Sequence, residues 1–197
     1  MKAFKSAFFS LIVLLSLNTT ASAAPLFQEP PEILYVKQGE AGDCSSWEEA
    51  CDLQTAIGKL PDQIWVAAGT YIPTTTSDRS ISFEMESGLK IFGGFPADGG
   101  AWEDRNWELY PTILSGDLNG DDGENFTNNG ENSYHILTAT DVNRLAKLDG
   151  FIISGGNANG GSGESTSFGA GMYNINSSPT LTNLTFTGNF STYGGAG

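Results

Sequence analysis

Five residues with hard oxygen side chains, Asp117, Asn119, Asp121, Asp122 and Glu124, fall within the stretch DLNGDDGE. Carboxylates and amides crowded in this way suit Ca²⁺, which takes roughly six to eight oxygen ligands. Counted from Asp117, the sixth and twelfth positions hold Asp122 and Asn128, where an EF-hand needs Gly and Glu. The expectation is an irregular calcium site, set against a plain polar turn. Asp121 and Asp122 are two adjacent carboxylates in what otherwise reads as a polar turn of a long loop. No motif in the chain demands a cofactor, and Ca²⁺ is the one ion its residues suggest.

Other chemistry is thinner. Trp102 and Trp107 flank Arg105 in AWEDRNWELYP. They offer aromatic faces for stacking on a sugar ring, or cover for one side of the domain. His135, the single histidine, sits among apolar neighbours and reads as structural. With no G-x-S-x-G element, a Ser-His-Asp triad has no support. Gly169-Ala170-Gly171 lacks the third glycine and the strand-to-helix setting of a dinucleotide loop. The glycine-rich Gly155–Gly163 stretch has no Asp, so the nonapeptide calcium repeat is absent. Two cysteines, Cys44 and Cys51, are too few ligands for a zinc site and suggest a disulfide in an exported chain.

Export is written at the N-terminus. Lys2 and Lys5 precede the apolar run Phe8–Leu17, and Ala21-Ser22-Ala23 supplies small residues for cleavage. The run is too short to span a bilayer, which takes roughly 20 residues. Residues 1–24 read as a signal peptide and 25–32, rich in proline, as a linker. Without the leader's two lysines, 7 basic residues face 23 acidic ones, a net charge of −16. That surface repels a phosphate backbone and excludes nucleic acid as a partner. It attracts cations and favours solubility.

Which elements would hold the candidate residues? Ser46 and Glu49 have capping-box spacing, and apolar residues then recur at three and four. This predicts one amphipathic helix from Ser46 to about Gly58. Elsewhere the apolar runs are short and bounded by Gly, Pro, Asn, Asp or Ser, as strands are. Predicted strands are Ile33–Val36, Ile64–Ala68, Ile81–Met85, Leu89–Phe92, Thr112–Leu114, Tyr134–Leu137, Leu148–Ile153, Gly171–Ile175 and Leu181–Phe186. Leu148–Ile153 resembles Leu181–Phe186 at an offset of 33, and Gly169-Ala170-Gly171 resembles Gly195-Ala196-Gly197 at an offset of 26. Repeats of this size with variable insertions indicate a solenoid in which each rung pairs in parallel with its neighbours. The second copy stops inside a rung, so the chain is expected to be the N-terminal part of a longer protein.

The stretches DLQTAIGKLPDQIWVAAGTY, LKIFGGFPADGGAWEDRNWELYPTILSGDLNGDD, NSYHILTA, LDGFIISGGNA and SSPTLTNLTFTGN resemble bacterial right-handed parallel β-helix proteins with a pectin-lyase-like fold. Gly194-Gly195-Ala196 and Phe186-Thr187-Gly188-Asn189 are similar to the GGA and FxxN repeats of polymorphic outer-membrane proteins. The resemblance covers residues 33–197. It implies an all-β, right-handed parallel β-helix with an N-terminal capping helix, exported to the cell surface, the outer membrane or the extracellular space. It implies a structural or adhesive rod presenting loops to a glycan or protein, without a transmembrane helix in the mature fragment. Anchoring would fall to a missing C-terminal module. The alternative it carries is a polysaccharide-active enzyme, a Ca²⁺-dependent lyase acting on uronate polymers. Gly120-Asp121-Asp122 matches a triplet of some β-helix glycosidases, which implies Asp121 and Asp122 as catalytic candidates, since glycoside hydrolysis uses two carboxylates roughly 5–9.5 Å apart, but the histidine and lysine motifs of that family are not found.

Overall fold

The computed structural model describes residues 29–195. The signal peptide, the linker up to Gln28 and the Ala196-Gly197 end of the repeat lie outside the described residues. The body begins at Pro31. Among the described residues are twelve β-strands, one α-helix and a few short 3-10 turns. The domain is all-β, and every strand pair in it is parallel.

The elements run β1 (Ile33–Val36), α1 (Leu53–Gly58), β2 (Gln63–Ala67), β3 (Gly69–Tyr71), β4 (Phe83–Met85), β5 (Lys90–Phe95) and β6 (Thr112–Ser115). They continue with β7 (Leu137–Thr140), β8 (Lys147–Ser154), β9 (Asn157–Ala158), β10 (Met172–Ile175), β11 (Thr180–Thr187) and β12 (Phe190–Ser191). One sheet has the order β1-β2-β5-β8-β6-β3, with β11 also on β8. A second has the order β10-β7-β4, and β12 pairs with β9. Strand β8 serves two neighbours. Its Lys147–Asp149 half pairs with β5, and its Ile152–Ser154 half pairs with β6. Gly150 makes the bend between the halves at φ +83, a left-handed conformation that costs glycine little.

Alternation puts one face of each strand inside. In register across five strands lie Leu34, Ile64, Ile91, Leu148 and Leu181. Ile64 and Leu148 are fully buried, and each such side chain stabilises the fold by about 1.5–3 kcal/mol. Leu181, on the last strand of the ladder, is 38 % exposed. A second row joins Tyr71, Leu114, Ile153 and Phe186, and a third joins Phe83, Leu137 and Met172. The 33-residue offset read from the sequence is the pairing distance of β8 with β11, Leu148 opposite Leu181.

The helix is shorter than its predicted span. Ser46 Oγ does accept the N–H groups of Glu48 and Glu49. No helix follows, because Cys51 is drawn to the edge of β1. Its N–H donates to Tyr35 O and its carbonyl accepts from Lys37 N–H. A helix cannot run through a residue whose backbone is bonded to a strand. It begins instead after Asp52, whose Oδ1 accepts from Thr55 N–H. Its buried residues Leu53, Ala56 and Ile57 join the common core. A disulfide joins Cys44 and Cys51 across the loop before it. The strand predicted at Tyr134–Leu137 is also displaced, with β7 starting only at Leu137. Tyr134 and Ile136 instead donate to Arg79 O and Ala170 O, contacts outside any strand. Among the described residues no helix is long and apolar enough to cross a membrane.

Candidate functional site

The connection from β6 to β7 carries the acidic candidates. Its base is narrow. Gly116 N–H donates to Ser154 O and Ser133 N–H donates to Gly116 O, which closes the loop on itself. Gly116 lies so near Gly155 that a Cβ there would meet Gly155 O at 2.4 Å. Asn132 fastens the returning arm, its Nδ2 donating to Gly155 O at 2.6 Å and to Asp122 Oδ2 at 2.7 Å. Arg79 Nε donates to Asn132 O at 2.6 Å and adds a strut from outside.

Asp117 organises the outgoing arm. Its Oδ1 accepts from the N–H groups of Gly120 and Asp121, and its Oδ2 from that of Asp122. The chain therefore wraps around one carboxylate, as Asx turns do. Closure of the loop brings Glu131 back to this turn. Asp117, Asp121 and Glu131 each offer a carboxylate oxygen, and these oxygens lie within 4.8 Å of one another. Glu131 Oε1 is shielded from solvent and has no hydrogen-bond partner. Burial raises the Glu131 carboxyl above its ordinary range, and repulsion from Asp121, Asp117 and Asp122 adds to it. Asp122 is raised too, by burial and then by Asp117 and Asp121, against the bond from Asn132.

Of the sequence candidates, the structure brings Asp117 and Asp121 together and sets Asp122 beside them through Asn132. Glu124 is exposed in a 3-10 turn and is not in the group. Asn119 is exposed and lines a neighbouring cleft of about 500 Å³ with Lys37, Gln54 and Asp117. A second cleft of about 470 Å³ is lined by Asp117, Asp122, Phe126 and Gly155. Glu131 was missed because it lies ten positions after Asp121. The contact that returns it, Ser133 to Gly116, is made by the backbone and leaves no side-chain signal.

The remaining candidates lie elsewhere. Trp102 packs on Trp65, Phe92 and Phe95 at centroid distances of 5.5, 5.0 and 6.1 Å. Trp102 and Trp107 both face the Arg105 guanidinium, at 5.4 and 5.3 Å, and remain 42 % and 41 % exposed. His135 is buried, stacks on Tyr173 and bonds Gly169 O through Nδ1. Burial lowers its pKa, opposed by that hydrogen bond.

A second acid was not singled out in the sequence. Asp149 sits in β8 at the bend and is 4 % exposed. Arg105 reaches its Oδ1 at 2.6 Å and Lys147 its Oδ2 at 2.7 Å. Thr182 and Asn183 donate to it from β11 at 2.7 and 2.9 Å. Burial alone would raise this carboxyl. The bonds from Lys147, Arg105, Asn183 and Thr182 outweigh it and hold the group well below the usual carboxylate range. An acid among Leu148, Gly150 and Phe151 inside a strand is the signal that could have found it.

Compared with protein-family models, with curated proteins and with solved structures, the chain matches none of them.

Proposed function

We propose that the protein is an exported right-handed parallel β-helix with a structural and adhesive role, whose stacked coils hold side loops out to a glycan or a surface protein. One observation carries the reading. Three parallel ladders take their strands, in the same order, from successive segments of the chain. Residues 63–85 give β2, β3 and β4, and residues 90–140 give β5, β6 and β7. Residues 147–175 then give the two halves of β8, followed by β10. The return of the chain to the same three ladders on each pass supports a coil. In this reading α1 covers the N-terminal end of the stack, since its apolar face must be buried. The leader at residues 1–24 accounts for export.

Such a scaffold suits display, because its coils are rigid while insertions between strands are free to vary. The loop from Gly116 to Ile136 is one such insertion. The test is expression with the native leader, followed by N-terminal sequencing of the exported protein and incubation with polygalacturonate. The account expects a mature chain beginning near Pro25, binding to surface glycan or protein, and no release of unsaturated uronate. Lyase activity that disappears in Asp121→Ala or Asp122→Ala would replace this reading with an enzymatic one.

A further inference from the structure

We propose that Asp117, Asp121 and Glu131 form a binding site for one hard divalent cation, Ca²⁺ by ligand type and spacing. The inference rests on the loop and is independent of the coil reading. The donors are all carboxylate oxygens, the set that hard cations take. With Ca–O distances of about 2.3–2.6 Å, ligands across one ion stand roughly 4.6–5.2 Å apart. The three oxygens, within 4.8 Å of one another, fit that sphere as they are placed.

Proximity of acids alone would not suffice, since exposed acidic groups gather on many surfaces. A second observation points to a ligand. Glu131 Oε1 is withdrawn from solvent yet receives no donor. The next residue, Asn132, is 1 % exposed, and its Oδ1 is likewise buried and unpartnered while its Nδ2 is committed to Asp122 and Gly155. Buried oxygens are almost always paired, so each such exception calls for a partner. For Glu131 Oε1, on one of three clustered carboxylates, a cation supplies that partner. Both salt bridges among the described residues are at Asp149, and neither reaches these three carboxylates. The site is also partly preorganised, because three backbone N–H groups already fix the Asp117 carboxylate.

The test uses the mature chain stripped with EDTA and titrated with CaCl2 by calorimetry, with MgCl2 in a parallel arm. Thermal unfolding is followed with and without Ca²⁺. The expected result is one saturable site for Ca²⁺ below about 1 mM and a rise in Tm with Ca²⁺. Glu131→Gln should weaken binding by about tenfold or more, while in EDTA at neutral pH its Tm exceeds that of the wild type. A structural role for Glu131 would instead lower Tm in EDTA. Asp121→Asn gives a second variant, because the Asp121 side chain is exposed and its loss does not threaten folding. Glu84→Gln, exposed on β4, is the control and should leave binding unchanged. Absence of saturable binding, or equal binding by wild type, Glu131→Gln and Asp121→Asn, would overturn the proposal.

Discussion

Asp149 and Glu131 both hold a carboxylate oxygen away from water, and their surroundings differ in every other respect. Asp149 lies within a strand, between two cations and two donors from the next strand. Glu131 lies at the end of a closed loop, among carboxylates, with one oxygen unpartnered. The first carboxyl is held below its ordinary range and the second is pushed above it. A buried acid that the chain supplies with partners ties its own structure together. Here Asp149 links the strap bearing Arg105 to β8 and β11 at the bend. A half-buried acid with one shielded oxygen that the chain leaves unpartnered is open to a partner from solution.

The largest consequence falls on Asp149. Truncation to Ala leaves the Arg105 guanidinium, 8 % exposed, without its carboxylate. Breaking a buried pair in this way costs about 3–5 kcal/mol, and chemical denaturation of Asp149→Ala should show a loss of that size. A loss under about 0.5 kcal/mol would place Asp149 among ordinary surface groups and remove the contrast.

The pH dependence should have opposite signs at the two sites. The Asp149 carboxyl is depressed in the folded state. Its contribution is therefore present above the unfolded value of about 3.9 and is lost as pH falls below that. The gap between wild type and Asp149→Ala should narrow on acidification. Asp122 and Glu131 are raised. In the cation-free protein they favour folding at low pH, and that contribution disappears as pH rises through their folded values. Unfolding curves of wild type and Glu131→Gln in EDTA should thus diverge above the ordinary carboxylate range, with the variant the more stable. The effect is smaller than at Asp149, because the loop is partly exposed and solvent screens its charges. Convergence of the two curves at neutral pH would remove the repulsion from the account. The smallest effect belongs to Asp121→Asn in EDTA, where a change within about 0.5 kcal/mol is expected by denaturation.

Much of the strand framework was legible because pairing at a fixed offset repeats residue types. Leu148 recurs as Leu181, Phe151 as Leu184 and Ile153 as Phe186, each directly opposite its counterpart. What was hidden depends on contacts distant in sequence. The start of α1 moved because Cys51 bonds to β1, although the local pattern at Ser46 favours a helix. The acidic loop was visible as composition, and Asp117 and Asp121 were within it. Glu131 and Asp149 were not singled out. One is returned by a backbone bond at the loop's base, and the partners of the other, Lys147 apart, come from a strap about forty residues before it and a strand about thirty after it.

The in-register parallel ladder is the premise on which both sites stand, since it sets the bend that holds Asp149 and the base that closes the acidic loop. Methyl-labelled Leu and Ile in the folded chain allow a direct measurement by nuclear Overhauser contacts. The ladder predicts cross-peaks from the Leu148 methyls to both Ile91 and Leu181. Their absence, or contacts of Leu181 with an antiparallel neighbour instead, would contradict it.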